Sequence, residues 1–135
     1  MSTQAFRAAV FGAIDTFMTT NYPNTVVMYE NGPEVDEADA GELFVDVELR
    51  WYGASLTAVG PESPGRHTGA VSVHLYCKQA TGTAAADVML DQLIALLQRK
   101  NFAGGYTKMP QRTVPFPAKG WYKTGCITPF TLDVA

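Results

Sequence analysis

Residues 43–52 read Leu43-Phe44-Val45-Asp46-Val47-Glu48-Leu49-Arg50-Trp51-Tyr52, the clearest periodic signal in the chain. Leu43, Val45, Val47, Leu49 and Trp51 fall on one face of an extended backbone, and Phe44, Asp46, Glu48, Arg50 and Tyr52 on the other. Alternation at period two predicts a strand with one face on a core. Residues 70–78 repeat it, with Val71, Val73, Leu75 and Cys77 opposed to Ser72, His74 and Tyr76. The intervening residues 53–68 are rich in Gly, Pro and Ser and predict a long loop, of a length usually functional or disordered. Two alternating runs joined by such a tip predict a long antiparallel hairpin.

Upstream, residues 2–20 carry Phe6, Val10, Ala13 and Phe17 at helical spacing, widened by Ala9 and Ile14. Ser2 or Thr3 supplies an N-cap, and Pro23 ends the helix by forcing Tyr22 out of helical geometry. Phe11 and Met18, at the stripe's edge, are expected in the core. Thr25-Val26-Val27-Met28-Tyr29 predicts a short strand. Residues 30–42 hold Asn31-Gly32-Pro33 and five further acids without a Lys or Arg, which predicts a solvated loop.

Downstream, Thr81-Gly82-Thr83 opens a second helix running to about residue 100. Ala86, Leu90, Leu93 and Leu97 form its stripe, widened by Met89, Ile94 and Leu96. Arg99 and Lys100 are expected in its last turn, complementing the dipole. Gly104-Gly105 breaks the chain before residues 106–114, a Pro115-Phe116-Pro117 turn and a strand over residues 121–134. Pro129 within that strand predicts an edge position or a bulge. The expected fold is α+β: one domain, an antiparallel or mixed sheet of about four to five strands, and two helices packed on one face.

The chain has 135 residues, 47% hydrophobic and only 17% charged, against about 25% charged in ordinary domains. The deficit falls on the surface, as charge depletion at protein–protein interfaces would produce. Ten Lys and Arg against thirteen Asp and Glu give a net charge of −3, which disfavours sequence-independent nucleic-acid binding. No apolar run approaches the roughly 18–20 residues of a membrane span, and the first residues lack a signal-peptide layout. Cytosolic synthesis, no membrane partner and no specific nucleic acid are the expectations. Cys77 and Cys126 are expected as buried small hydrophobes.

Catalytic material is weak. His67, His74 and Cys77 match no common zinc spacing, and His74 and Cys77 point to opposite faces of one strand. Asp46 and Glu48 share a face with Arg50 and read as a charged row rather than an acid–base pair. There is no nucleophile-elbow serine and no Walker sequence. No enzyme, metal or cofactor is expected.

Charge distribution is more informative. Glu30, Glu34, Asp36, Glu37, Asp39, Glu42, Asp46 and Glu48 are eight of the thirteen acids, with no base among them. Arg99, Lys100, Lys108, Arg112, Lys119 and Lys123 are six of the ten bases, with no acid among them. Two readings stand: solvated loops of opposite sign, or head-to-tail association of an acidic patch with a neighbour's basic patch.

The segment Val27-Met28-Tyr29-Glu30-Asn31-Gly32-Pro33, the strand Leu43-Phe44-Val45-Asp46-Val47, the strand entry Gly69-Ala70-Val71-Ser72-Val73 and the helix entry Gly82-Thr83-Ala84-Ala85-Ala86-Asp87 resemble, in order and spacing, the tail-terminator-like family of long-tailed bacteriophages. The likeness runs from about residue 3 to 133. It implies a structural virion protein, phage- or prophage-encoded and made in the bacterial cytoplasm. Such a protein caps the head-proximal end of the tail tube as a hexameric ring, ends tube polymerisation and presents the head-joining surface. The implied partners are further copies of itself, the tail-tube protein and a head-completion or neck protein. In that ring, Glu34, Asp36, Glu37, Asp39 and Glu42 with Arg99, Lys100, Lys108, Arg112, Lys119 and Lys123 are candidate subunit contacts. Ser55, Leu56, Thr57, Arg66 and His67 are the candidate tube-contact loop. The alternatives are another neck or head-completion ring protein, and a small metal-dependent or ligand-binding α+β protein using His67, His74 or Cys77.

Overall fold

Three strands of fourteen residues each, β2 (Leu43–Leu56), β3 (Gly65–Lys78) and β8 (Trp121–Val134), form the middle of the sheet. In the computed structural model the described residues are 2–30, 41, 43–56, 65–78, 84–118 and 120–134. Around the long strands lie α1 (Thr3–Asn21), β1 (Val26–Tyr29), α2 (Ala84–Leu97), β4 (Asn101–Phe102), β5 (Gly105–Thr107), β6 (Gln111–Arg112) and β7 (Phe116–Ala118). The strand order is β1-β2-β3-β8-β5-β4, with β6 and β7 also on β8. β1 runs parallel to β2 and every other pair is antiparallel.

The sheet therefore has eight strands, more than the four to five expected. The excess comes from residues 101–118, which Gly104, Pro110 and Pro115 cut into segments of two or three residues. Such segments have no periodicity of their own and are strands only because they pair with β8 or with each other. Phe116 and Pro117 of the expected Pro115-Phe116-Pro117 turn belong to one of them, β7, which pairs Pro117 with Tyr122.

The alternation in β2 and β3 sorts residues as the sequence implies. Val45, Val47, Leu49, Val71, Val73, Leu75 and Cys77 lie in one core with Cys126, Phe130 and Leu132 of β8. Onto that face pack Phe6, Val10, Ile14 and Met18 of α1 and Ala86, Met89, Leu90, Leu93 and Leu97 of α2. Each such side chain removed from water is worth about 1.5–3 kcal/mol, so this shared face is what fixes the helices in place. Both helices share it, as expected. Ser2 caps α1 by accepting from the Ala5 amide at 3.0 Å. Met18 is in the core, whereas Phe11 is only partly buried, against Tyr29.

Three local expectations are corrected. Residues 53–56 and 65–68, read as loop, continue the hairpin: after a register shift between Trp51 and Gly53, Gly53 pairs with Thr68 and Leu56 with Gly65. The bulge interrupts the period-two pattern, which is why the strand ends early in sequence. Arg99 and Lys100 lie beyond α2, because Arg99 adopts φ +51 and turns the chain after the Gln98–Ile94 bond. Pro129 sits inside the central strand β8. Its carbonyl accepts from the Lys108 amide at 2.8 Å, so its missing N–H faces the gap between β5 and β6, where the ladder needs no donor.

Candidate functional site

β1 covers the outer edge of β2 only as far as Val47, where the Glu30 amide donates to the Val47 carbonyl. Beyond that point, among the described residues, no strand pairs with the outer edge of β2. This bare edge carries large apolar groups: Trp51 is 37% exposed, Tyr52 63% and Leu56 67%. Trp51 is anchored, edge-on to Phe130, while Tyr52 is the residue that the bulge leaves unpaired and Leu56 lies beyond it. Beside the edge lies a cleft of about 830 Å³, between Thr3, Gln4 and Arg7 of α1 and Trp51, Tyr52 and His67 of the hairpin. Arg7 is held by Glu30 at 3.2 Å.

Of the expected tube-contact residues, Ser55 and Leu56 are exposed at the end of β2. Arg66 makes a two-point ion pair with Asp133 of β8, at 2.8 and 3.0 Å. Their hydrogen bond and charge hold the Asp133 carboxyl below its usual range and push Arg66 above its own. His67 lies edge-on to Trp51 at 6.0 Å. Thr57 falls outside the described residues.

The other end of the sheet collects part of the basic set. Arg99, Lys100 and Lys108 are joined by backbone: Arg99 donates to the Lys108 carbonyl, and the Thr107 amide to the Lys100 carbonyl. The buried Thr107 hydroxyl locks this corner, accepting from the Lys100 amide at 2.8 Å and donating to the Leu97 carbonyl at 2.6 Å. Arg112 is engaged within the chain by Asp91 of α2. Lys123 lies apart, on the helix-free face over the Tyr76 ring at 5.4 Å. Lys119, Glu34, Asp36, Glu37, Asp39 and Glu42 lie outside the described residues. The described residues that bracket that stretch, Glu30 after β1 and Leu43 at the start of β2, belong to the opposite end of the strand order from Arg99, Lys100 and Lys108.

Near those bases stands a second exposed apolar group that the sequence did not single out: Tyr106 at 45%, Met109 at 53% and Val114 at 82%. They are strung along the far side of β8, Tyr106 beside Thr131 and between β4 and β8, and Val114 just past Thr113, whose amide donates to the Gly125 carbonyl. The usable sequence signal was the absence of any charged residue from 51 to 56, next to the charged row 46–50.

The helix-free face carries Phe44, Tyr76 and Trp121, with Phe44 stacked on Tyr76 at 4.6 Å and meeting Trp121 edge-on at 4.9 Å. Beyond them Asp46 pairs across the ladder with His74, and Glu48 holds Arg50 at 2.7 Å. Burial first, then Glu48, raises the Asp46 carboxyl; burial, then Lys123 and Arg50, lowers the His74 imidazole. Cys77 faces the helices instead, and among the described residues no cluster of three or more His, Cys, Asp or Glu is placed to hold a metal. No described helix is long and apolar enough to cross a membrane.

No protein-family model and no curated protein matches the chain. Solved structures do. One, carrying a bare sequence designation rather than a functional name, superposes with a TM-score of 0.74 at 16% identity, over 100% of this chain and 96% of that one. Another is a chain in the virion of a native gene transfer agent particle, with a TM-score of 0.56 at 14% identity and 96% of both chains covered. At these identities the likeness is one of fold: the chain shares, end to end, the fold of a virion component.

Proposed function

We propose that this protein is a structural component of a phage-like virion that caps the head-proximal end of the tail tube as a ring. There it ends tube polymerisation and presents the surface to which the head joins. The observation that carries this reading is the end-to-end fold match to a chain of a gene transfer agent virion, with 96% of each chain covered. The sequence resemblance to tail terminators supports a place at the head-proximal end of the tube. Exposed large apolar side chains on β2 (Trp51, Tyr52, Leu56) are of the kind a subunit covers in an assembly, and heterologous contacts close into rings when the rotation allows.

The test is localisation. Tagged protein added to tubes grown from the tail-tube protein of the same genome should decorate one end of each tube in negative-stain images. Decoration along the wall, or none, contradicts the proposal. A neck or head-completion protein would instead bind heads and leave head-free tubes bare.

A further inference from the structure

We propose that the corner formed by Arg99, Lys100 and Lys108, with Tyr106 beside them, is a docking surface for an acidic segment of a neighbouring protein, one that brings two or three carboxylates close together. The four other arginines each face an acid: Arg7 with Glu30, Arg50 with Glu48, Arg66 with Asp133 and Arg112 with Asp91. Arg99, Lys100 and Lys108 are exposed and make no ion pair among the described residues. The backbone holds these three together. The Arg99 amide donates to the Lys108 carbonyl, and the amide of Thr107, next to Lys108, donates to the Lys100 carbonyl. The hold is stiff, because the fully buried Thr107 hydroxyl joins the Lys100 amide to the Leu97 carbonyl at the end of α2.

The elements that build the corner do not compensate its charge. Residues 92–132 carry six bases and no acid. Asp133, the one acid of β8, is engaged at two points by Arg66. Of the two acids of α2, Asp91 engages Arg112, and Asp87 lies in the first turn, about 15 Å along the helix from Leu97. The negative end of α2 offsets part of the repulsion at Arg99 and Lys100, but Lys108 arrives from β5. The sheet also sets the direction of the surface. A Cβ on Gly105 would strike Phe6, and Thr107 bonds to the end of α2, so both face the helices. Alternation sends Tyr106 and Lys108 to the opposite face, with Tyr106 between Asn101 of β4 and Thr131 of β8. The exposed Tyr106 ring supplies an apolar anchor and a phenolic donor beside the cations. Three cations on a chain of net charge −3 give little hold on a nucleic acid, whose binding grows with the number of phosphates neutralised. Two or three carboxylates on a protein segment match them in sign and number.

The test is a titration of isotope-labelled protein with acetylated hexaglutamate at low salt, followed by amide chemical shifts. The largest changes are expected at Arg99, Lys100, Tyr106 and Lys108. Arg99→Gln combined with Lys108→Gln should weaken binding about tenfold, at about threefold for each exposed ion pair lost. Arg112→Gln removes a cation that Asp91 already holds and should weaken binding less than about twofold. Largest changes elsewhere, no changes, or equal losses in the two variants overturn the proposal. Tighter binding of an oligothymidylate of the same charge than of hexaglutamate also overturns it, in favour of a nucleic acid. The amide spectrum reports whether each variant is folded, and Lys100→Gln with Lys108→Gln replaces the first pair should that one not fold. The inference and the ring reading fail separately, because peptide binding needs only this protein whereas capping is read on tubes.

Discussion

The ring of Trp51 meets the ring of Phe130 edge to face, with centroids 5.2 Å apart and planes at 88°. Phe130 is 1% exposed and lies tilted against Phe6 of α1 at 4.5 Å, so Trp51 reaches across Gly69 of β3 to the core. The next residue, Tyr52, is 63% exposed. Trp51→Ala should therefore cost about 2–3 kcal/mol, less than for a fully buried aromatic, while Tyr52→Ala should change stability by no more than about 0.5 kcal/mol. Urea unfolding of both variants checks this; equal losses would contradict the division between anchor and free surface.

Two glycines should respond with opposite sign. A Cβ on Gly69 would be driven into the Arg50 carbonyl and stand 2.9 Å from Phe130 Cζ, and backbone on the neighbouring strand has nowhere to go. Gly69→Ala should cost about 3 kcal/mol or abolish folding. Gly12, inside α1, has open space where a Cβ would stand. Gly12→Ala should stabilise by about 0.5–1 kcal/mol through helix propensity and a less flexible unfolded chain. Thermal unfolding of the two variants provides the comparison.

Thr107→Val isolates one hydroxyl. The side chain is fully buried, and its loss orphans the Lys100 amide at that contact and the Leu97 carbonyl. A cost of about 1–3 kcal/mol is expected, with faster hydrogen exchange at Lys100. An unchanged exchange rate would mean that the corner is held by other contacts.

Acidification should act through His74. Burial, Lys123 and Arg50 hold its imidazole below the ordinary 6.5, so the unfolded chain takes up a proton that the folded chain resists. The stability gained from neutral His74 is complete above pH 6.5 and declines as pH falls below it. Asp46 is shifted the other way: its raised carboxyl favours the folded state at low pH and loses that contribution as pH rises through its folded value. Below pH 6.5 the stability of His74→Gln should fall less steeply than that of the parent. Parallel pH profiles for the two would contradict this.

What the sequence disclosed was whatever repeats at a regular period. Val45, Val47 and Leu49 announce their face, Phe6, Val10 and Ile14 their stripe, and Ser2 its cap. The strand at 53–56 was hidden because the bulge at Trp51–Gly53 shifts the alternation, and Gly53, Ala54 and Ser55 have loop composition. β6 and β7 depend on an edge of β8 that no local pattern reveals. Arg99 ends α2 with a left-handed backbone where a glycine would have signalled the stop. The same limit applies to the site. Counting bases along the chain grouped Lys123 with Lys108, but the register of β8 puts Lys123 on the helix-free face, and Asp91 engages Arg112. Exposed Tyr106, Met109 and Val114 look like core residues until the sheet leaves them at its margin.

If this protein ends tail tubes, as proposed, it should set their length. Tail-tube protein from the same genome is polymerised with increasing amounts of this protein, and lengths are counted by electron microscopy. Mean length should shorten as the ratio of this protein to tube protein rises, and finished tubes should not resume growth when fresh tube protein is added. Lengths independent of the ratio, or tubes that resume growth at both ends, would contradict it.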